Sequence, residues 1–175
     1  MPDYGIVAAP HRTGLAVQPR RRPSARVDAD RSCYQSLIRT PFIWADPAGP
    51  QARRSPALCS TVDLAPSILA RAGVPAFNGM NGQVLPCVPG AAPERQSVLV
   101  EDEVQRVLFG FDSPPRLRTL VTARWRLTVY ANASWGELYD LESDPHELDN
   151  LWEDPGHRAL RGELMTELVH ETAVR

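Results

Sequence analysis

The reactive side chains of this chain are an unusual set. All 19 of its basic residues are arginines and none is a lysine. A Schiff-base lysine, a lysine general base and the phosphate-cradling lysine of a P-loop are therefore excluded. Cys33, Cys59 and Cys87 stand 26 and 28 residues apart with no C-x-x-C pair, so neither a zinc ribbon nor a thioredoxin-like site is expected. An odd count of cysteines also argues against a disulfide framework, and they read as free, buried thiols, with a single disulfide left open. His11, His146, His157 and His170 lack the H-E-x-x-H spacing of a helical zinc site. Asp63 precedes an apolar helical run and reads as a helix cap rather than as a catalytic acid.

The elements that must position these groups follow from periodicity. Arg12 to Ser32 is rich in Arg, Pro, Ser and Ala and has neither a helical nor a strand period, so it reads as loop or disordered chain. Phe42, Ile43 and Trp44 read as a short buried strand stopped by Asp46-Pro47-Ala48-Gly49-Pro50. Thr61 to Gly73 reads as a short helix with Thr61 or Asp63 at its cap, Pro66 in its first turn, Leu64, Ile68 and Leu69 on one face, and Gly73 as its stop. Prolines and glycines make 74–93 an extended connection. Val98–Glu101, Leu117–Thr122, Trp125–Tyr130 and Glu137–Leu141 are short β runs at hairpin spacing, which favours an antiparallel sheet. From His157 to Val174, Leu160, Leu164, Met165, Leu168 and Val169 form one stripe of an amphipathic helix suited to covering a sheet face.

Length and charge narrow the class. A chain of 175 residues with 43% hydrophobic residues can bury one ordinary core. No apolar run reaches the roughly 18–20 residues of a spanning helix. The first residues lack the charged-then-apolar build of a secretory signal, which makes a cytoplasmic location the default expectation. Residues 1–60 carry nine Arg against four Asp, whereas 94–175 carry nine Arg against sixteen acids. The basic stretch Gln18–Pro23 has no interleaved aromatics, so it reads as a solvated loop, and no nucleic-acid partner is expected.

Three stretches in fixed order resemble the C-terminal portion of sulfatases, members of the alkaline-phosphatase-like superfamily. Tyr34-Gln35-Ser36-Leu37-Ile38-Arg39-Thr40-Pro41-Phe42-Ile43-Trp44 is similar to that family's strand after the active-site loop. Ser60 to Gly73, followed by Gly82-Gln83-Val84-Leu85-Pro86, is similar to its V-D-x-x-P-T helix and G-x-S-L turn. Trp125-Arg126-Leu127 and then Gly136 to Leu151 closely resemble its last hairpin, E-L-Y-D-L-x-x-D-P-x-E-x-x-N-L.

The resemblance implies an α/β fold of the alkaline-phosphatase type, here its C-terminal part, with a small antiparallel sheet packed by a C-terminal helix. It implies three regions: a poorly ordered, degenerate segment 1–33, the end of the α/β core at 34–93, and the antiparallel subdomain with its terminal helix at 94–175. The implied reaction is hydrolysis of a sulfate ester, on a small molecule or a sulfated glycan. The family uses a formylglycine from a C/S-x-P-x-R motif beside a divalent cation, usually calcium. None of the three cysteines is followed by that Pro and Arg. Asp3-Tyr4-Gly5 with His11 eight residues after Asp3 is a partial match to the family's D-H-G or D-N-G stretch. It implies Asp3 as a hard oxygen ligand of the metal and His11 as a catalytic contact to sulfate. Tyr4 and Ala16 depart from the family at the neighbouring ligand and lysine positions. The expectation is a truncated, catalytically incompetent sulfatase fragment. The alternatives are a phosphodiesterase or phosphonate hydrolase of the same superfamily, or a non-catalytic piece that associates through exposed core surface.

Overall fold

The four β runs pair with their sequence neighbours. In the computed structural model, which describes residues 33–47, 54–91, 93–105, 107 and 111–173, β1 (Ser97–Glu103), β2 (Arg116–Thr122), β3 (Trp125–Tyr130) and β4 (Gly136–Asp140) form one antiparallel sheet in the order β1-β2-β3-β4. The short connections from β2 to β3 and from β3 to β4 favour this meander.

The register decides what each face carries. Leu99 lies opposite Leu120, Leu120 opposite Leu127, and Leu127 opposite Leu138, so one row of leucines crosses all four strands. Helix α3 (Arg158–Ala173) covers that row with Leu164 and Leu168. A 3₁₀ turn at Pro155–His157 starts the helix, and the Asp154 carboxylate accepts the Gly156 N–H at 2.9 Å. Leu160 and Met165 pack beside this core, but Val169 is 65% exposed and does not belong to the stripe.

The opposite face is polar and still buried. Along β3, Arg126, Thr128 and Tyr130 point away from α3, and all three are buried. What covers them in part is the stretch from Cys33 through α1 (Gln35–Ile38), which places Tyr34 against Tyr139 with ring centroids 6.1 Å apart.

Three expectations need correction. Phe42-Ile43-Trp44 is no buried strand: it pairs with none of the four strands, and Phe42 and Ile43 are 42% and 89% exposed. A strand needs a partner ladder, and among the described residues the sheet supplies none at this position. In the short helix, α2 (Leu64–Arg71) follows a 3₁₀ turn at Thr61–Asp63, and its buried positions are Pro66 and Ser67, whereas Ile68 is exposed. Polar bonds rather than an apolar stripe orient it. Nor are the cysteines uniformly buried: Cys33 is, Cys59 is exposed and Cys87 lies between, all as free thiols.

Candidate functional site

The polar face of the sheet is organised by one arginine. Arg126 is completely buried. Its Nε donates to Glu147 Oε1, its Nη1 to Thr128 Oγ1 at 2.7 Å, and its Nη2 to Glu137 Oε2 at 3.1 Å. The guanidinium also packs over the rings of Tyr34 and Tyr139, 4.6 and 4.7 Å from their centroids. A planar, always charged fork suits three acceptors and two ring faces at once, which an ammonium group would not. Glu147 completes the clasp by accepting the Gln35 N–H at 2.8 Å through its other oxygen. Thr119 and Thr128 hydroxyls meet at 2.8 Å and extend the network toward β2.

The electrostatics mark this cluster as an anchor. Burial works against charge on Arg126, but the carboxylates of Glu137 and Glu147 outweigh it and hold the guanidinium above its ordinary value. Burial, and then Glu137, raises the phenols of Tyr34 and Tyr139, and burial raises the Cys33 thiol. Those groups stay protonated at neutral pH, so the cluster offers neither a phenolate nor a thiolate nucleophile.

The hairpin motif supplies most of the remaining polar bonds. Asp140 holds Arg124 in a two-point ion pair at 3.1 and 2.7 Å. Asp144 accepts the N–H groups of Leu148 and Asp149 and so forms the turn at Asp144-Pro145. Asn150 accepts from Leu138 and Trp152 N–H groups through Oδ1 and donates to the Gly136 carbonyl. Glu147 sits at φ +55, a left-handed conformation unusual for a side-chain-bearing residue, and thereby aims its carboxylate inward. The motif is scaffold chemistry, as its residue types suggested.

A second buried node lies at the start of α2. Asp63 is 2% exposed and accepts the Ser60 N–H at 2.7 Å, the Gln83 N–H at 2.8 Å and Arg95 Nη2 at 2.9 Å. Its capping role is thus real, but it reaches back to Ser60, and the same carboxylate also ties down the 82–85 stretch. Ser67 accepts the Leu85 N–H at 2.8 Å and donates to the Asp63 carbonyl at 2.6 Å.

Of the residues that the sequence singled out for chemistry, Asp3 and His11 lie outside the described residues. Among the described residues no three His, Cys, Asp or Glu side chains come together as a cation cage. Arg126, Glu147 and Arg95 hold the two buried nodes, and their pairings were not read from the sequence. Arg126 had one signal: it alternates with Trp125 and Leu127 on a strand, at a position that should face either solvent or a buried partner.

The N-sulphoglucosamine sulphohydrolase C-terminal family matches residues 27–173. The chain belongs to this sulfatase family. The relationship extends to arylsulfatase K of Rattus norvegicus, 26% identical over 125 residues, which are 69% of this chain and 22% of that protein. A candidate sulfatase of Bacteroides thetaiotaomicron superposes with a TM-score of 0.68 at 26% identity, over 80% of this chain and 31% of the other. A 2-O GAG sulfatase superposes with a TM-score of 0.63 at 25% identity, over 75% and 29% of the two chains. This sulfatase chain thus spans about a fifth to a third of the length of these relatives. The Arg126 clasp and the Asp63 node both lie inside the family match.

Proposed function

We propose that the chain forms the C-terminal part of a sulfuric-ester hydrolase acting on a sulfated sugar, and that it holds no complete catalytic centre by itself. The match to a sulphohydrolase C-terminal family over 27–173, in a sequence with no C/S-x-P-x-R motif, carries this reading. A sulfate ester bears a dispersed negative charge, so its hydrolysis needs a nucleophile together with cationic groups aimed at the sulfate oxygens. The arginines described above are committed to Glu137, Glu147, Asp63 and Asp140, and those pairs support structure. Asp3 as a ligand to calcium and His11 as a contact to sulfate belong to the same reading. The sulfated-sugar class is supported by the family's own description and by the 2-O GAG sulfatase relative.

The contact to the rest of such an enzyme falls on the apolar residues left in solvent. Phe42, Ile43, Val62, Ile68 and Phe77 are all exposed, and all lie in the 34–93 region. Among the described residues no helix is long and apolar enough to cross a membrane.

An aryl sulfate and a sulfated glucosamine, each offered to the purified chain with calcium, test the proposal. Release of sulfate is expected to stay at background. Robust calcium-dependent turnover would overturn the assignment of the catalytic centre to other parts.

A further inference from the structure

The connection after α2 holds two asparagine–glycine steps, Asn78-Gly79 and Asn81-Gly82. Asparagine is chemically labile, and a glycine after it is the least hindered partner for attack by a main-chain nitrogen on the side-chain amide, because no Cβ stands in the way. By sequence the two steps are equivalent. Both asparagines are exposed, and neither the Gly79 nor the Gly82 N–H has an acceptor among the described residues, so hydrogen bonding does not separate them either.

Packing does separate them. Asn78 and Gly79 form an exposed turn beside Phe77, which is itself 67% exposed. Gly79 sits at φ +91, and a Cβ built on it would meet nothing within 4 Å. Gly82 is clamped against the start of α2: a Cβ there would stand 2.0 Å from the Val62 carbonyl oxygen and 2.9 Å from Pro66 Cγ. Asp63 holds the next N–H, that of Gln83, at 2.8 Å, and Ser67 holds that of Leu85 at 2.8 Å. Closing a five-membered ring on an asparagine rotates the peptide that follows it. At Asn81 this rotation pulls Gly82 off Val62 and Gln83 off Asp63, whereas at Asn78 it displaces no packed atom around Gly79.

We propose that Asn78 is a site of spontaneous deamidation in the folded chain, and that the packing of Gly82 protects Asn81 from the same reaction. The Gly79 nitrogen attacks Asn78 Cγ, the bond from Cγ to the side-chain nitrogen breaks, and ammonia leaves with the proton of the Gly79 N–H. Water then opens the cyclic imide at either carbonyl and gives aspartate or isoaspartate, with no change of oxidation state. Either product is ionised at neutral pH and adds a negative charge beside Phe77. Isoaspartate also lengthens the main chain by one carbon. The open turn at 78–79 accommodates that carbon, but between Asn81 and Gln83 it would break the bond to Asp63.

The full chain aged in mildly alkaline buffer, beside a sample aged in urea, decides the matter. Trypsin cleavage after Arg71 and Arg95 releases both asparagines on one peptide, and electron-transfer fragmentation assigns each new acid to 78 or 81. In the folded chain the acid at 78 should accumulate about tenfold faster than at 81, or more, since Asn81 reacts only when the junction opens locally. In urea the two rates should converge to within about twofold, because the protection belongs to the fold. Asn78→Gln should abolish the early product and leave the slow one at 81. Equal rates in the folded chain, a faster reaction at 81, a difference that persists in urea, or an unreacted Asn78 in the folded chain while the urea sample reacts would each overturn the proposal.

Discussion

Glu147 accepts the backbone N–H of Gln35 at 2.8 Å across 112 residues of sequence. The same carboxylate takes the Nε of Arg126, so the last hairpin, the central strand β3 and the start of α1 close on one point. This contact explains why the hairpin motif carries a glutamate three residues before its terminal Asn-Leu.

Arg126→Met should be among the most destabilising single changes. It leaves Glu137 and Glu147 buried with no countercharge, a loss of about 3–5 kcal/mol. Urea unfolding followed by circular dichroism measures it. Replacing Arg126, Glu137 and Glu147 together by apolar residues of similar volume should recover much of the loss. A triple variant no better than the single one would mean that the clasp matters by shape rather than by charge.

Gly136→Ala tests close packing at the start of β4. An added Cβ would stand 2.5 Å from the Trp152 ring and 2.6 Å from the Thr128 carbonyl oxygen. Either the ring or the strand must shift, at about 1–3 kcal/mol. Tryptophan fluorescence should report a displaced Trp152 along with a lower unfolding midpoint, and an unchanged spectrum would refute the contact.

Acid sensitivity should be traceable to Asp140. Its hydrogen bonds from Arg124 hold its pKa at about 2, below the ordinary 3.8. A carboxyl depressed in the folded state adds stability above its unfolded value, and that stability disappears as pH falls through the folded one. Stability should therefore drop between about pH 4 and pH 2. Arg124→Ala should flatten that part of the profile, and added salt should weaken it in the parent chain, since Arg124 is half-exposed.

Asn150→Ala should cost about 1–3 kcal/mol, because the Leu138 N–H loses its acceptor inside the structure. Asn150→Asp is the sharper probe: it keeps the acceptor for Leu138 and Trp152 but loses the donor to the Gly136 carbonyl. Hydrogen exchange at Leu138 should speed up in the alanine variant and stay slow in the aspartate variant.

The sheet and the terminal helix were legible because alternation and helical period are local properties of the chain. Each strand was found within a few residues of its observed bounds, and each contributes one leucine to the row under α3. Apolar content alone misled at Phe42-Ile43-Trp44, where burial requires a partner that the described residues do not supply. It misled again at α2, where Asp63 and Ser67, rather than Leu64 and Ile68, turn inward because their polar groups find acceptors and donors in the 82–85 stretch.

The candidate site was legible as a motif and not as a mechanism. E-L-Y-D-L-x-x-D-P pointed to the family, yet a sequence position gives no measure of what a side chain meets 21 residues away, as Arg126 meets Glu147. By itself the sequence determined the order of elements, the absence of any lysine chemistry and the lack of a nucleophile motif, because composition and short-range period specify those. Only the tertiary structure decided that Arg126 is a buried tie among two carboxylates and two rings, and that Asp63 and Ser67 hold the 82–85 stretch against the start of α2. Those relationships depend on which distant segments the chain brings together, and that is set by the summed packing of the whole sheet.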